Sequence, residues 1–171
     1  EFVEDADSWI SLSLLRTEEK VEGAMIGDTM ISTGFMPRPT DQIVNFGMFF
    51  QDYLPNNKNF KVHLNFLFGT GLPFGPPGNI KNKSAFRIPP YRRVDIGFSA
   101  LLVDENKVRE KRPDSFWRHF RSIWASLEVF NLLGISNTVS YLWVKDVSNT
   151  VYAFPNHLTS RRLNFRLIVK V

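Results

Sequence analysis

Arg93 and Asp95 stand two residues apart at the start of a largely apolar run, Arg162, Asn164 and Arg166 alternate in the same way, and Glu128 sits between Leu127 and Val129. Charges at this spacing fall on one side of an extended strand, because successive side chains alternate between its two faces. They can form a ladder of ion pairs that holds strands together, or line a wet surface that contacts a solute or another domain. Glu128 and Arg162 each lie five residues outside the 133–157 link, so a plain hairpin would put them opposite one another.

Other chemistry is poorly supplied. His63, His119 and His157 lie far apart with no partner at i,i+4, so no metal is expected. The chain has no cysteine, which excludes disulfides, thiolate zinc sites and cysteine nucleophiles. It has no Gly-x-Ser-x-Gly elbow and no nucleophile paired with a base. The string "GTGLPFGPPG" (69–78) is not followed by Gly-Lys-Ser/Thr and reads as a structured loop rather than a phosphate cradle. "NKS" at 82–84 fits a glycosylation acceptor, a tripeptide common by chance. The expectation is no enzymatic activity and no cofactor.

The elements that must carry the charges alternate with period two. "YRRVDIGFSALLV" (91–103) places Val94, Ile96, Phe98, Ala100 and Leu102 on one side, with Arg93, Asp95, Gly97 and Ser99 on the other. The same alternation runs through 7–17, 42–54, 59–70, 120–132 and 160–171. These six segments are longer than the roughly 5–6 residues of an average globular strand and reach the roughly 9–11 of a membrane-spanning one. Within 114–134 the residues Phe116, Phe120, Ile123, Leu127 and Phe130 also fit a helical stripe, with Asp114 and Gly134 as possible caps. The surrounding pattern favours a strand there, preceded by a helical turn.

The connections differ in length. Residues 18–41, 71–90 and 133–159 are long, and 133–159 contains its own short hairpin in "VSYLWVK" and "TVYAF", whereas "PNNKN" (55–59) is a tight turn. The three long links follow segments one, three and five, so they share one rim, as the extracellular loops of outer-membrane barrels do. The charged stretch 104–119 is longer than that rule prefers for the opposite rim.

At 171 residues the chain fits a single unit, 1–171. Its 16 Phe are a heavy load, while a net charge of +4 without a solid basic block speaks against a nucleic-acid partner. No run approaches the roughly 18 apolar residues of a transmembrane helix.

"MPRPTDQ", "FFQDYLPNN", "FGTGLPFGPPGN", "RIPPYRRVDIGFS", "SLEVFNLLGISNTVSYLWV" and "PNHLTSRRLNFRLIVKV" follow in order along essentially the whole chain. Together they make the chain resemble the C-terminal barrel of a Bacteroidetes-type TonB-dependent outer-membrane receptor. The resemblance implies the last six strands of a large barrel in the bacterial outer membrane. It further implies a plug domain and earlier barrel strands outside this sequence, energy supplied through TonB, and uptake of an unidentified scarce solute. Such chains usually end on an aromatic residue, whereas this sequence ends on Val171.

The fold expected is therefore all-β: an antiparallel up-and-down meander forming part of a transmembrane β-barrel, with about six long strands and a short extracellular hairpin. Arg93, Asp95, Glu128, Arg162, Asn164 and Arg166 would face the lumen. Val94, Ile96, Phe98, Leu127, Val129, Phe165 and Leu167 would face lipid. Two alternatives stay open: a soluble antiparallel β-barrel or sandwich that binds a ligand, and a small complete outer-membrane barrel.

Overall fold

A computed structural model describes residues 7–22, 24–27, 29–78, 82–105, 116–158 and 160–171. In chain order the strands are β1 (Asp7–Leu14), β2 (Glu18–Glu19), β3 (Ala24–Ile26), β4 (Thr29–Ile31), β5 (Met36–Pro37), β6 (Val44–Leu54) and β7 (Asn57–Gly69). There follow β8 (Pro73–Phe74), β9 (Phe86–Arg87), β10 (Tyr91–Asp104), β11 (Ser122–Phe130), β12 (Thr138–Lys145), β13 (Val151–His157) and β14 (Arg162–Lys170).

Six of these form one sheet in the order β1-β6-β7-β10-β11-β14, and every neighbouring pair is antiparallel. The chain is all-β, and this sheet is an open up-and-down meander with β1 and β14 at its edges. Its strands match the six alternating segments. They run to 11 residues in β6, 13 in β7 and 14 in β10, but to nine in β11 and β14 and eight in β1.

The helical alternative for 114–134 gives way to strand β11 after a single 3-10 turn at Phe116–His119. Asp114, its possible cap, lies outside the described residues. The reason is the backbone: β11 lies between β10 and β14 and pairs with both, which a helix there could not do.

The register corrects one expectation. Glu128 stands opposite Asn164, and Arg162 stands opposite Phe130. The connection is not a plain hairpin, because a turn at Asn131–Gly134 bends the chain before β12. The Gly134 amide donates a hydrogen bond to the Asn131 carbonyl at 2.8 Å, and both residues take positive φ, 53° at Asn131 and 66° at Gly134. Glycine suits that conformation, and asparagine tolerates it.

The long links carry short ladders of their own, β2 with β5, β3 with β4, β8 with β9, and the hairpin of β12 with β13. The Gly-Pro loop is folded tightly: a Cβ on Gly71 would overlap the Ile88 carbonyl, and one on Gly75 would overlap that of Asn82. These glycines therefore serve close backbone approach. Asn56, at φ 62°, supports the tight turn from β6 to β7.

The main sheet has two unlike faces. Val44, Phe46, Met48 and Phe50 on β6, Val62, Leu64, Phe66 and Phe68 on β7, and Val94, Ile96 and Phe98 on β10 share one face. Across the next strands, Phe98, Leu127 and Phe165 form a single row of direct neighbours on that face. Among the described residues no second sheet covers this row: Phe98 is 53% exposed, Leu127 51% and Phe165 66%, while Ile123, further along the same face, is 7% exposed. Among the described residues the buried apolar side chains are Met36, Ile88 and Ile123, of which Ile123 alone is on the main sheet.

Candidate functional site

The opposite face gathers the polar residues. Arg93, Asp95, Glu128, Arg162, Asn164 and Arg166 all lie on it, as the pairings Gly97 with Glu128, Glu128 with Asn164 and Phe130 with Arg162 require. Val94, Ile96, Phe98, Leu127, Val129, Phe165 and Leu167 all lie on the apolar face.

Two networks organise the charges. In the first, Asp95 (4% exposed) accepts from the Arg93 Nε at 2.7 Å, the Asn131 amide at 2.8 Å and the Asn65 side chain at 3.3 Å. A buried carboxylate needs such partners to offset its lost hydration. Arg93 also lies over the Phe130 ring, 5.1 Å from its centroid. In the second, Glu128 (6% exposed) accepts from Arg166 at 2.5 Å and from Asn164 at 2.9 Å. The His63 Nε2 lies 3.6 Å from the same carboxylate. The His63 ring stacks near Phe49 and covers Gly97, where a Cβ would overlap the imidazole. Between these groups and the short-turn rim, Ser99 and Ser126 share a 2.8 Å hydrogen bond across β10 and β11. Further along, Lys61 lies over the rings of Tyr53 and Trp124.

At the other rim the 71–90 link touches each of the other two long links. The buried Asp41 (1% exposed) accepts from the Thr17 amide at 2.7 Å and from the Arg87 guanidinium of β9. The Thr17 amide and then Arg87 hold its carboxyl below the usual range. Lys83 binds Glu19 at 2.7 Å and likewise lowers that carboxyl. The Gly-Pro loop meets the β12–β13 hairpin through Phe74, which stacks on Tyr141 with ring centroids 4.3 Å apart and planes at 6°. Asn137 closes the hairpin base onto β10: it accepts from the Arg92 amide at 2.9 Å and donates to the Arg92 carbonyl at 2.8 Å.

The arrangement offers a polar surface of paired charges, with links that contact one another at one rim. Among the described residues it holds no group of three or more metal-ligating side chains. His119 instead contacts the Phe116 carbonyl at 2.9 Å, and His157 contacts Thr138 at 3.1 Å.

Sequence reasoning placed the charged residues on a common side but missed their partners. Asn65, Asn131 and Asn137 act from turns or a neighbouring strand, and His63 reaches Glu128 across β10. Asp41 was legible as part of "MPRPTDQ", but nothing in that string shows that Arg87 closes over it. No family model, no curated protein and no solved structure matches this chain.

Proposed function

We propose that the chain forms part of the wall of a bacterial outer-membrane β-barrel, as the last strands of a TonB-dependent receptor. The observation that carries the barrel reading is the uncovered apolar face. A row such as Phe98, Leu127 and Phe165 is half-exposed or more, with a network of buried charges directly behind it. A soluble sandwich would bury that face against a second sheet. Lipid is the solvent that accepts it, with the polar face turned to a wet lumen.

The meander order and the alternation of long links with a tight turn support the same reading. An open edge cannot stay in hydrocarbon, because each unpaired backbone group there costs several kcal/mol. The free edges of β1 and β14 therefore pair with further strands of the same receptor. The receptor assignment rests on the ordered strings from "MPRPTDQ" to "RLIVKV". In that reading the charged face meets plug or solute during TonB-energised uptake, and the chain itself is not an enzyme.

Detergent dependence tests the barrel. The refolded chain is expected to need detergent or lipid to stay dispersed, and a monodisperse preparation in plain buffer would overturn the reading. A reading frame that continues upstream into a plug domain is the expected sign of a receptor. A frame without one would leave a barrel but remove the receptor.

A further inference from the structure

A cavity of about 160 Å³ opens on the polar face at the long-link rim, where β10, β11 and β14 meet the turn at Asn131 and the base of the hairpin. Phe130 and Leu158 give it apolar walls, while Tyr91, Ser160 and Arg162 bring polar groups to it. Arg93 also lines it, but its charge is taken up by Asp95 at 2.7 Å. Asp95 in turn is saturated by Arg93, Asn131 and Asn65. Arg162 differs: its side chain has no ion-pair or hydrogen-bond partner among the described residues. Among the described residues the cavity therefore carries one uncompensated positive charge, Arg162, beside the Ser160 hydroxyl and a Tyr91 hydroxyl that lies against Arg93.

We propose that this cavity binds the carboxylate of a small solute, or of one end of a larger one, with a flat apolar body. A single guanidinium offers a fork that matches a carboxylate, whereas a phosphate dianion would leave charge unmatched. The body lies against Phe130, whose ring Arg93 holds from one side at 5.1 Å. The volume is below the roughly 300–1,000 Å³ of pockets that enclose drug-sized ligands, which limits what enters to about one ring. The lining residues all belong to this chain, and the inference is drawn for β14 as the edge strand of the sheet.

The test uses the full chain in maltoside micelles and 4-fluorobenzoate as the probe, followed by fluorine NMR against empty micelles. Broadening of the probe signal at roughly millimolar concentration is expected. Arg162→Gln should weaken it by about tenfold or more, the range of a lost hydrogen bond to a charged group. Arg121→Gln, which removes the same charge near the start of β11 at the opposite rim, should leave it unchanged. Because Arg162 is exposed and has no partner among the described residues, its replacement is expected to keep the circular dichroism of the parent. Arg162→Lys should bind at an intermediate level. Benzoate should displace the probe, and neither benzyl alcohol nor inorganic phosphate should do so at equal concentration. Equal losses in Arg162→Gln and Arg121→Gln would overturn the proposal, as would no binding, or displacement by phosphate as strong as by benzoate.

Discussion

Glu128 on β11 and Arg166 on β14 join across a diagonal: their hydrogen bond is 2.5 Å long, although the residue directly opposite Glu128 is Asn164. The diagonal is open because Asn164 is short enough to share the carboxylate at 2.9 Å while the longer Arg166 reaches past. Breaking a buried pair by removing one partner costs about 3–5 kcal/mol. Arg166 is 53% exposed, so solvent screens much of that here. Glu128→Ala and Arg166→Ala are expected to show a coupling of about 1–2 kcal/mol in a double-mutant cycle read by unfolding in detergent.

Gly97→Ala should destabilise by about 1–3 kcal/mol, because its methyl group overlaps the His63 imidazole. In a His63→Ala background most of that cost should vanish, since the obstruction is a side chain and not the backbone. Unfolding of the four variants checks this. An unchanged penalty would place the strain elsewhere.

Asp41 makes the link contacts sensitive to acid. Its carboxyl is held low by the Thr17 amide and Arg87, so the stabilisation is present above the unfolded value near about 3.9. It is lost as pH falls through the lower folded value. Limited proteolysis of the 15–43 link should thus accelerate below about pH 4. Asp41→Asn should give faster cleavage at neutral pH and reduce the acid dependence, leaving the part that Glu19 carries through Lys83.

Leu127→Arg, at the middle of β11, should cost about 2–4 kcal/mol in a bilayer, against about 0–1 kcal/mol near an interface. Val169→Arg, opposite Ile123 near the short-turn rim, is the interfacial comparison. Unfolding of both in one lipid should show the larger loss at Leu127.

The six long strands were legible because a period-two pattern sustained over such lengths has few other readings. The same pattern assigned every charged candidate to a common side. Register was not legible: it depends on the turn at Asn131–Gly134, where both end residues take positive φ and offset the hairpin. That offset gives Glu128 to Asn164 and Arg166 instead of Arg162. Nor was the rim legible, since Asp41 and Arg87 lie 46 residues apart and Phe74 and Tyr141 further still. Local composition marks such stretches as links but carries no record of which links touch. The cavity beside Arg162 follows from that same unforeseen register.

Leu167 and Ile168 test the central claim with the least chemical ambiguity. Both are aliphatic, adjacent on β14 and exposed, at 54% and 39%, yet Leu167 pairs with Ala125 on the apolar face and Ile168 with Trp124 on the polar face. The chain has no cysteine, so Leu167→Cys and Ile168→Cys can each carry one fluorescent label without further change. In bilayers containing nitroxide-bearing acyl chains, the label at 167 should be strongly quenched, and the label at 168 should respond instead to a water-soluble quencher. Equal quenching at both sites, or none by lipid at 167, would mean that the apolar face meets protein and would contradict the membrane-wall account.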